Sequence, residues 1–159
     1  PPLVRQVQME MIKALAGAED YDSLIDRIPD ALRVLKGYIQ KIQNGEVSVG
    51  DLLITKRISK HPEDYTHKVL QALAARQLLM AGVRVQPGQS VQFLIRNSGS
   101  AIPQNRVRAA HLLEPEPKID REKYLEILLE AGESLLSPFG YDAERIHGKV
   151  MRCEDRKLF

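Results

Sequence analysis

"GDLLITKRISKHPEDY", residues 50–65, opens as an apolar run and turns within a few positions into a concentration of donors and positive charge. Leu52, Leu53 and Ile54 suit a buried strand, and the longer segment "VSVGDLLIT" predicts one. Lys56, Arg57, Ser59, Lys60 and His61 follow with no acidic side chain until Glu63, and Pro62 with Glu63 and Asp64 marks a turn. A strand that delivers cations and hydroxyls to a turn is suited to an anion.

The charge balance around this stretch says how large that anion should be. The net charge of +2 is bland, but its distribution is not: residues 1–51 carry six Lys/Arg against eight Asp/Glu, residues 52–111 nine against two, and residues 112–159 eight against eleven. From Tyr65 to Leu113 there is no carboxylate side chain, while Lys68, Arg76, Arg84, Arg96, Arg106 and Arg108 fall there. Such asymmetry is the footprint of a polyanionic partner. Taken one by one, Arg76 and Arg84 are read as solvated charges.

Outward from the basic middle the chain reads as helical. Leu3, Val4, Val7, Met11, Ile12 and Leu15 form one stripe that Gly17 would end. Asp20 and Asp22 offer N-cap chemistry to a second segment, Leu24 to Ile42, which Pro29 is expected to break. A third helix is expected over about 66–81, stopped by Gly82. "VRVQPGQSVQFLIRN" predicts a short strand, a Pro87-Gly88 turn of type II and a second strand from Ser90 to Arg96, a small β element and not a sheet. "NRVRAAHLLEPEPKID" is expected to wrap the surface as extended chain. Asp120 can cap a last helix with Tyr124, Leu125, Leu128, Leu129, Leu135 and Leu136 inward, and the charged tail "RIHGKVMRCEDRKLF", residues 145–159, is expected to fray.

Composition closes several alternatives. The chain of 159 residues is 43% apolar, enough for one domain with or without a helical extension. A single cysteine, Cys153, excludes an internal disulfide framework and a CxxC cluster, and no apolar run of membrane length or signal-peptide core occurs, so a cytoplasmic protein is expected, with no membrane partner. The start at Pro1 reads as a piece of something longer. His61, His67, His111 and His147 lack metal-ligand spacing, and the glycines form neither GxGxxG nor GxxxxGK[ST], so no metal site, no cofactor and no catalytic constellation is expected here. With no Trp and few aromatics, single-strand stacking is disfavoured, and without an RNP-like strand or GxxG loop so is RNA. Phosphate contacts want Lys, Arg, hydroxyls and turn amides, which residues 55–67 provide.

The order "LLITKRISKHPEDY", "ALAARQL", "VRVQPGQSVQFLIRN", "YLEILLEAGESLLSPFGYD" resembles the C-terminal thumb region of archaeal family B DNA polymerases over nearly the whole chain. The resemblance implies an α+β, mostly helical fold: a thumb-like bundle with a small β element around 83–97. It implies helices 1–47 adjoining the palm, a DNA-binding body 48–147 and a tail 148–159. It also implies that primer-template duplex DNA is gripped through its backbone by Thr55, Lys56, Arg57, Ser59, Lys60, Tyr65 and His67, with Arg96 and Asn97 as secondary contacts. The family's catalytic carboxylates are not matched, so the chain alone should be inactive. It would complete a nucleotidyltransferase by docking, through the apolar side of its first two helices, on a larger polypeptide that carries palm, fingers, exonuclease and magnesium. "EDRKLF" carries only part of a QxxLxxFF box, leaving sliding-clamp contact open. The rival reading is a non-enzymatic helical adaptor whose basic middle binds an acidic protein.

Overall fold

A computed structural model describes residues 1–155, the side chains of 152–155 excepted. The end of "EDRKLF" and the Cys153 side chain lie outside the described residues, and with them the reading of a clamp-binding box. The fold is α+β and mostly helical, and it divides into two compact units. One comprises Pro1–Pro2 with Ser48–Lys123; the other comprises Leu3–Val47 with the residues from Tyr124 on. No helix among the described residues is long and apolar enough to cross a membrane.

In the helical unit, α1 (Pro2–Leu15) buries Leu3, Val7 and Met11, one stripe at a four-residue repeat. Gly17, just beyond its end, has φ of 86°, the left-handed conformation that glycine tolerates best. Helix α2 (Tyr21–Gln43) starts at a capping box: the Ser23 N–H donates to Asp20 Oδ1 at 2.8 Å and the Asp20 N–H donates to Ser23 Oγ at 3.2 Å. It runs unbroken through Pro29, contrary to expectation. Pro29 lies on the exposed side while Ile28, Leu32, Leu35 and Ile39 are buried, so packing outweighs the one helical bond that proline removes. Helix α5 (Arg121–Leu136) approaches α2 closely at Gly132, where a Cβ would lie 2.8 Å from Leu35 Cδ2. Up to Asp155 the tail expected to fray is instead helix α6 (Ala143–Asp155), residues 156–159 lying outside the described ones: Asp142 Oδ1 accepts the Arg145 N–H at 2.7 Å, and Ile146 and Val150 are buried one turn apart.

The other unit is built on a sheet. Strands β1 (Ile54–Arg57), β2 (Ser90–Ile95) and β3 (Val107–Ala109) pair antiparallel in the order β1-β2-β3, with Ile54 opposite Phe93 and Phe93 opposite Ala109. Strand alternation sends Ile54, Val91, Phe93, Ile95, Val107 and Ala109 to one face, where all are buried. "VSVGDLLIT" is therefore strand only at its end. Val49–Leu52 is a single helical turn, α3, with the Ser48 hydroxyl donating to Asp51 Oδ2 at 3.2 Å. Residues 83–86 are no strand either, but the Pro87-Gly88 turn forms as expected: Gly88 has φ of 91° and the Gln89 N–H donates to Gln86 O at 3.0 Å. Residues 107–109, expected as surface chain, supply β3. The third helix, α4 (Leu70–Met80), starts four residues later than its apolar pattern predicts.

Gln77 of α4 is the one buried polar side chain among the described residues. Its amide donates to Val107 O at 2.8 Å and Gln104 O at 3.1 Å, while its carbonyl accepts the Ala109 N–H at 2.8 Å. It thus serves β3 as an extra strand would. At the other end of β2 the Asp120 N–H donates to Ile95 O at 3.0 Å, and Asp120 Oδ2 accepts both the N–H and the hydroxyl of Ser98 at 2.8 Å. Its Oδ1 accepts the Lys123 N–H at 3.1 Å, the capping role expected of it. Burial pushes the Asp120 carboxyl up, but the donors from Ser98 and Lys123 outweigh it and hold the group below its ordinary value.

Two predictions follow from these side chains. Gln77→Met keeps the length but strands a buried N–H and a buried carbonyl, so chemical denaturation should show a loss of about 2–4 kcal/mol. The lowered Asp120 value means that its contribution to stability is present above the unfolded carboxylate value and lost as the pH falls through the folded one. Unfolding free energy measured against pH should accordingly fall less steeply in the acid range for Asp120→Asn than for the parent chain.

Candidate functional site

The basic stretch occupies an edge strand and the turn that follows it. Thr55, Lys56 and Arg57 are exposed, but alternation divides them. Thr55 lies opposite Gln92 and Arg57 opposite Ser90, so these four share the solvent face, with the Gln92 amide donating to Thr55 Oγ1 at 3.3 Å. Lys56 stands opposite Val91, on the face of Ile54 and Phe93. Beyond the strand, Ile58 is fully buried and turns the chain so that Ser59 and Lys60 emerge again.

Tyr65 folds back onto this emergence. Its Oη accepts the Ser59 N–H at 2.8 Å and lies 3.4 Å from Ser59 Oγ, and Lys60 Nζ sits 5.9 Å from the ring centroid. Hydrogen bonding from the Ser59 hydroxyl and N–H, with the Lys60 charge, holds the Tyr65 phenol below its ordinary value. The turn itself is clasped from α4: Arg76 Nε donates to Pro62 O at 3.0 Å and its Nη2 to Tyr65 O at 3.1 Å. Arg84 Nη2 donates to Glu63 Oε1 at 2.8 Å and lies 3.2 Å from His61 Nδ1. The Glu63 carboxyl is held below its ordinary value by its own backbone N–H and then by Arg84. Arg76 is therefore a structural clasp and not the solvated charge read from the sequence, whereas Arg84 is exposed as read, in an exposed ion pair with Glu63.

The structure brings Arg57, Ser59, Lys60 and Tyr65 to one end of β1, with Thr55 two residues back on the same face. His67 is exposed two residues past Tyr65, outside this cluster. Arg96 and Asn97 follow the opposite end of β2, about 20 Å along the strand, and Arg96 is paired with Glu114 at 3.4 Å. No carboxylate among the described residues pairs with Lys56, Arg57 or Lys60. A groove of about 470 Å³ adjoins the solvent face, with Thr55, Gln92, Leu78, Val83, Arg84 and His111 in its walls. Among the described residues no three His, Cys, Asp or Glu side chains are grouped to hold a metal ion.

The family model for DNA polymerase family B matches residues 2–139. The chain belongs to that family. Relatives include DNA polymerase 3 of Saccharolobus shibatae, 22% identical over 91% of this chain and 18% of that protein. The DNA polymerase of Thermococcus hydrothermalis is 22% identical over 94% and 9%, and the DNA polymerase alpha catalytic subunit of Dictyostelium discoideum 27% identical over 91% and 10%. The chain spans less than a fifth of the length of these family B relatives. The family B DNA polymerase of Pyrobaculum calidifontis has the same fold over 83% of this chain and 17% of that one, with a TM-score of 0.66 at 19% identity.

The clasp from α4 gives this family B segment a testable dependence. Arg76→Met removes both guanidinium donors while keeping an extended side chain. The Ser59 amide, covered by Tyr65, should then exchange with solvent about tenfold faster. In the same variant the Tyr65 phenol should move back up toward its ordinary value in an alkaline absorbance titration. A lowered phenol value contributes stability only above the unfolded tyrosine value and loses it as the pH falls through the folded one, so neutral-pH stability should not report this change.

Proposed function

We propose that the chain is the thumb portion of a family B DNA polymerase and holds primer-template duplex DNA through its sugar-phosphate backbone. The observation that carries this reading is the pair Arg57 and Lys60, two cations without a carboxylate partner among the described residues, beside the Ser59 and Tyr65 hydroxyls at the end of β1, with Lys56 exposed on the strand's other face, inside the matched span. Such groups fix a protein on a duplex without reading its bases, so sequence preference is slight. Lys68, exposed on the next stretch, extends the same positive path, with the exposed His67 ring beside it as a hydrogen-bonding contact. Arg96 and Asn97 are secondary contacts at the far end of the sheet.

In this reading the chain works in the cytoplasm with a larger polypeptide that carries palm, fingers and exonuclease, and the magnesium chemistry lies there. The chain alone does not polymerise. Exposed Met9 and Ile12 of α1 belong to the docking side for that polypeptide.

The test replaces Lys56, Arg57 and Lys60 together by alanine in the assembled polymerase. With about four phosphates neutralised, log affinity for duplex should fall against log salt with a slope of roughly −3 to −4, and the triple variant should flatten it by about 2.7. Affinity and product length per binding event should both drop, affinity by about tenfold or more. Unchanged values reject the reading; a chain that ignores duplex at moderate salt but retains an acidic protein would favour the adaptor instead.

A further inference from the structure

The two edges of the sheet differ. The β3 edge is closed by Gln77, whereas among the described residues no strand lies outside β1. In an antiparallel ladder alternate residues direct both backbone groups to the neighbouring strand, and those between direct them away. The phase along β1 is fixed by Ile58, whose N–H donates to Gln89 O at 3.0 Å and whose carbonyl accepts the Gly88 N–H at 2.7 Å. Ile54 and Lys56 share that phase and bond toward β2. Thr55 and Arg57 therefore turn both their N–H and their C=O groups outward, and the Ser59 N–H is seen pointing the same way, since it meets Tyr65 Oη at 2.8 Å.

We propose that the open edge of β1 is itself a phosphate-binding strand, in which the main-chain N–H groups of Thr55 and Arg57 and the Tyr65 hydroxyl donate to successive phosphodiesters of one DNA strand. This rests on the reading that the basic cluster meets duplex DNA. The N–H groups of Thr55, Arg57 and Ser59 recur every two residues, a repeat of about 6.8 Å along an extended strand, with the Tyr65 hydroxyl standing in front of the third. Tyr65 is part of the series because accepting the Ser59 N–H leaves its own proton to be donated onward. Arg57 and Lys60 supply charge beside these donors, and both side chains are exposed. Arg76, through the carbonyls of Pro62 and Tyr65, is a positioning residue for the last donor. The outward N–H groups suit phosphate oxygens and read no base, and the charges of Arg57 and Lys60 beside them favour an anion over a further strand.

Proline at position 55 removes the outward N–H without touching the ladder, a place where edge strands accept proline. In the assembled polymerase, Thr55→Pro should bind a primer-template duplex about tenfold more weakly than Thr55→Ala, with the salt slope unchanged because no cation is lost. Tyr65→Phe should cost less, because the Ser59 N–H is then free to meet the phosphate itself. Residue-resolved amide exchange on the unsubstituted enzyme provides a readout independent of folding: Thr55 and Arg57 should exchange freely without DNA and become protected on adding duplex. Equal affinity of a folded Thr55→Pro and Thr55→Ala, or amides unprotected with duplex bound, overturns the proposal. So do amides already protected before DNA is added, which would mean that the edge is paired with a protein strand. If these outcomes arise while the triple alanine variant still weakens binding, the edge assignment fails and the thumb reading stands; if the triple variant is silent too, both fail.

Discussion

From Tyr65 to Leu113 the chain has no carboxylate, and this single constraint sorts its positive charge. A guanidinium that cannot find an acid in its own neighbourhood must donate to main-chain carbonyls or reach the acids that flank the tract. Arg76 takes the carbonyls of Pro62 and Tyr65, Arg106 that of Ser100 and Arg108 that of Leu112. Arg84 and Arg96 reach Glu63 and Glu114, the acids just outside each end. The five arginines are thereby given partners within the chain, and what stays available to an external anion is Lys68 and the group just ahead of the tract, Lys56, Arg57 and Lys60. A count of basic residues locates the right region but overstates how many of them are free to meet a partner.

Helix α4 organises both sides of this arrangement with two adjacent residues. Arg76 faces the turn after β1, and Gln77 faces the outer edge of β3. Each supplies donors to carbonyls that secondary structure leaves unmet, which buried backbone cannot do without. One edge of the three-stranded sheet is closed in this way and the other is left to solvent. An open edge normally invites another strand, and lysine on such an edge is a known deterrent because pairing would bury its charge. Lys56 and Arg57 place that deterrent at β1. A polyanion meets no such penalty, so the charges that turn strands away would welcome a nucleic-acid backbone.

Much of this was legible in the sequence wherever the signal is local. The stripes of α1, α2 and α5, the Asp20 and Asp120 caps, the Pro87-Gly88 turn and the edge cluster all follow from spacing and side-chain chemistry. The misreadings have a common cause in distance along the chain. Pro29 is tolerated because Ile28, Leu32 and Leu35 are buried by remote partners, which no local propensity records. β1 and β3 flank β2 from opposite directions in sequence, so neither pairing is visible in the segment "VRVQPGQSVQFLIRN". Within the site, Ser59, Lys60 and Tyr65 were readable as a group because a turn joins them. Arg76 was not, since its role depends on carbonyls eleven and fourteen residues away.

On the proposed reading, why a weak-looking edge should serve a grip follows from energetics. An exposed ion pair is worth little because it is screened and entropically costly to hold. Cations on a strand and its adjoining turn avoid part of that cost, since the backbone is ordered in advance by the ladder to β2 and by the Arg76 clasp. Pre-ordering lowers the entropy lost on contact and leaves counterion release as the main favourable term. Such an interface gains affinity in proportion to the phosphates it meets and is indifferent to which bases lie between them. That combination suits a surface that must hold a duplex while letting it advance, because each step exchanges one set of equivalent phosphates for the next.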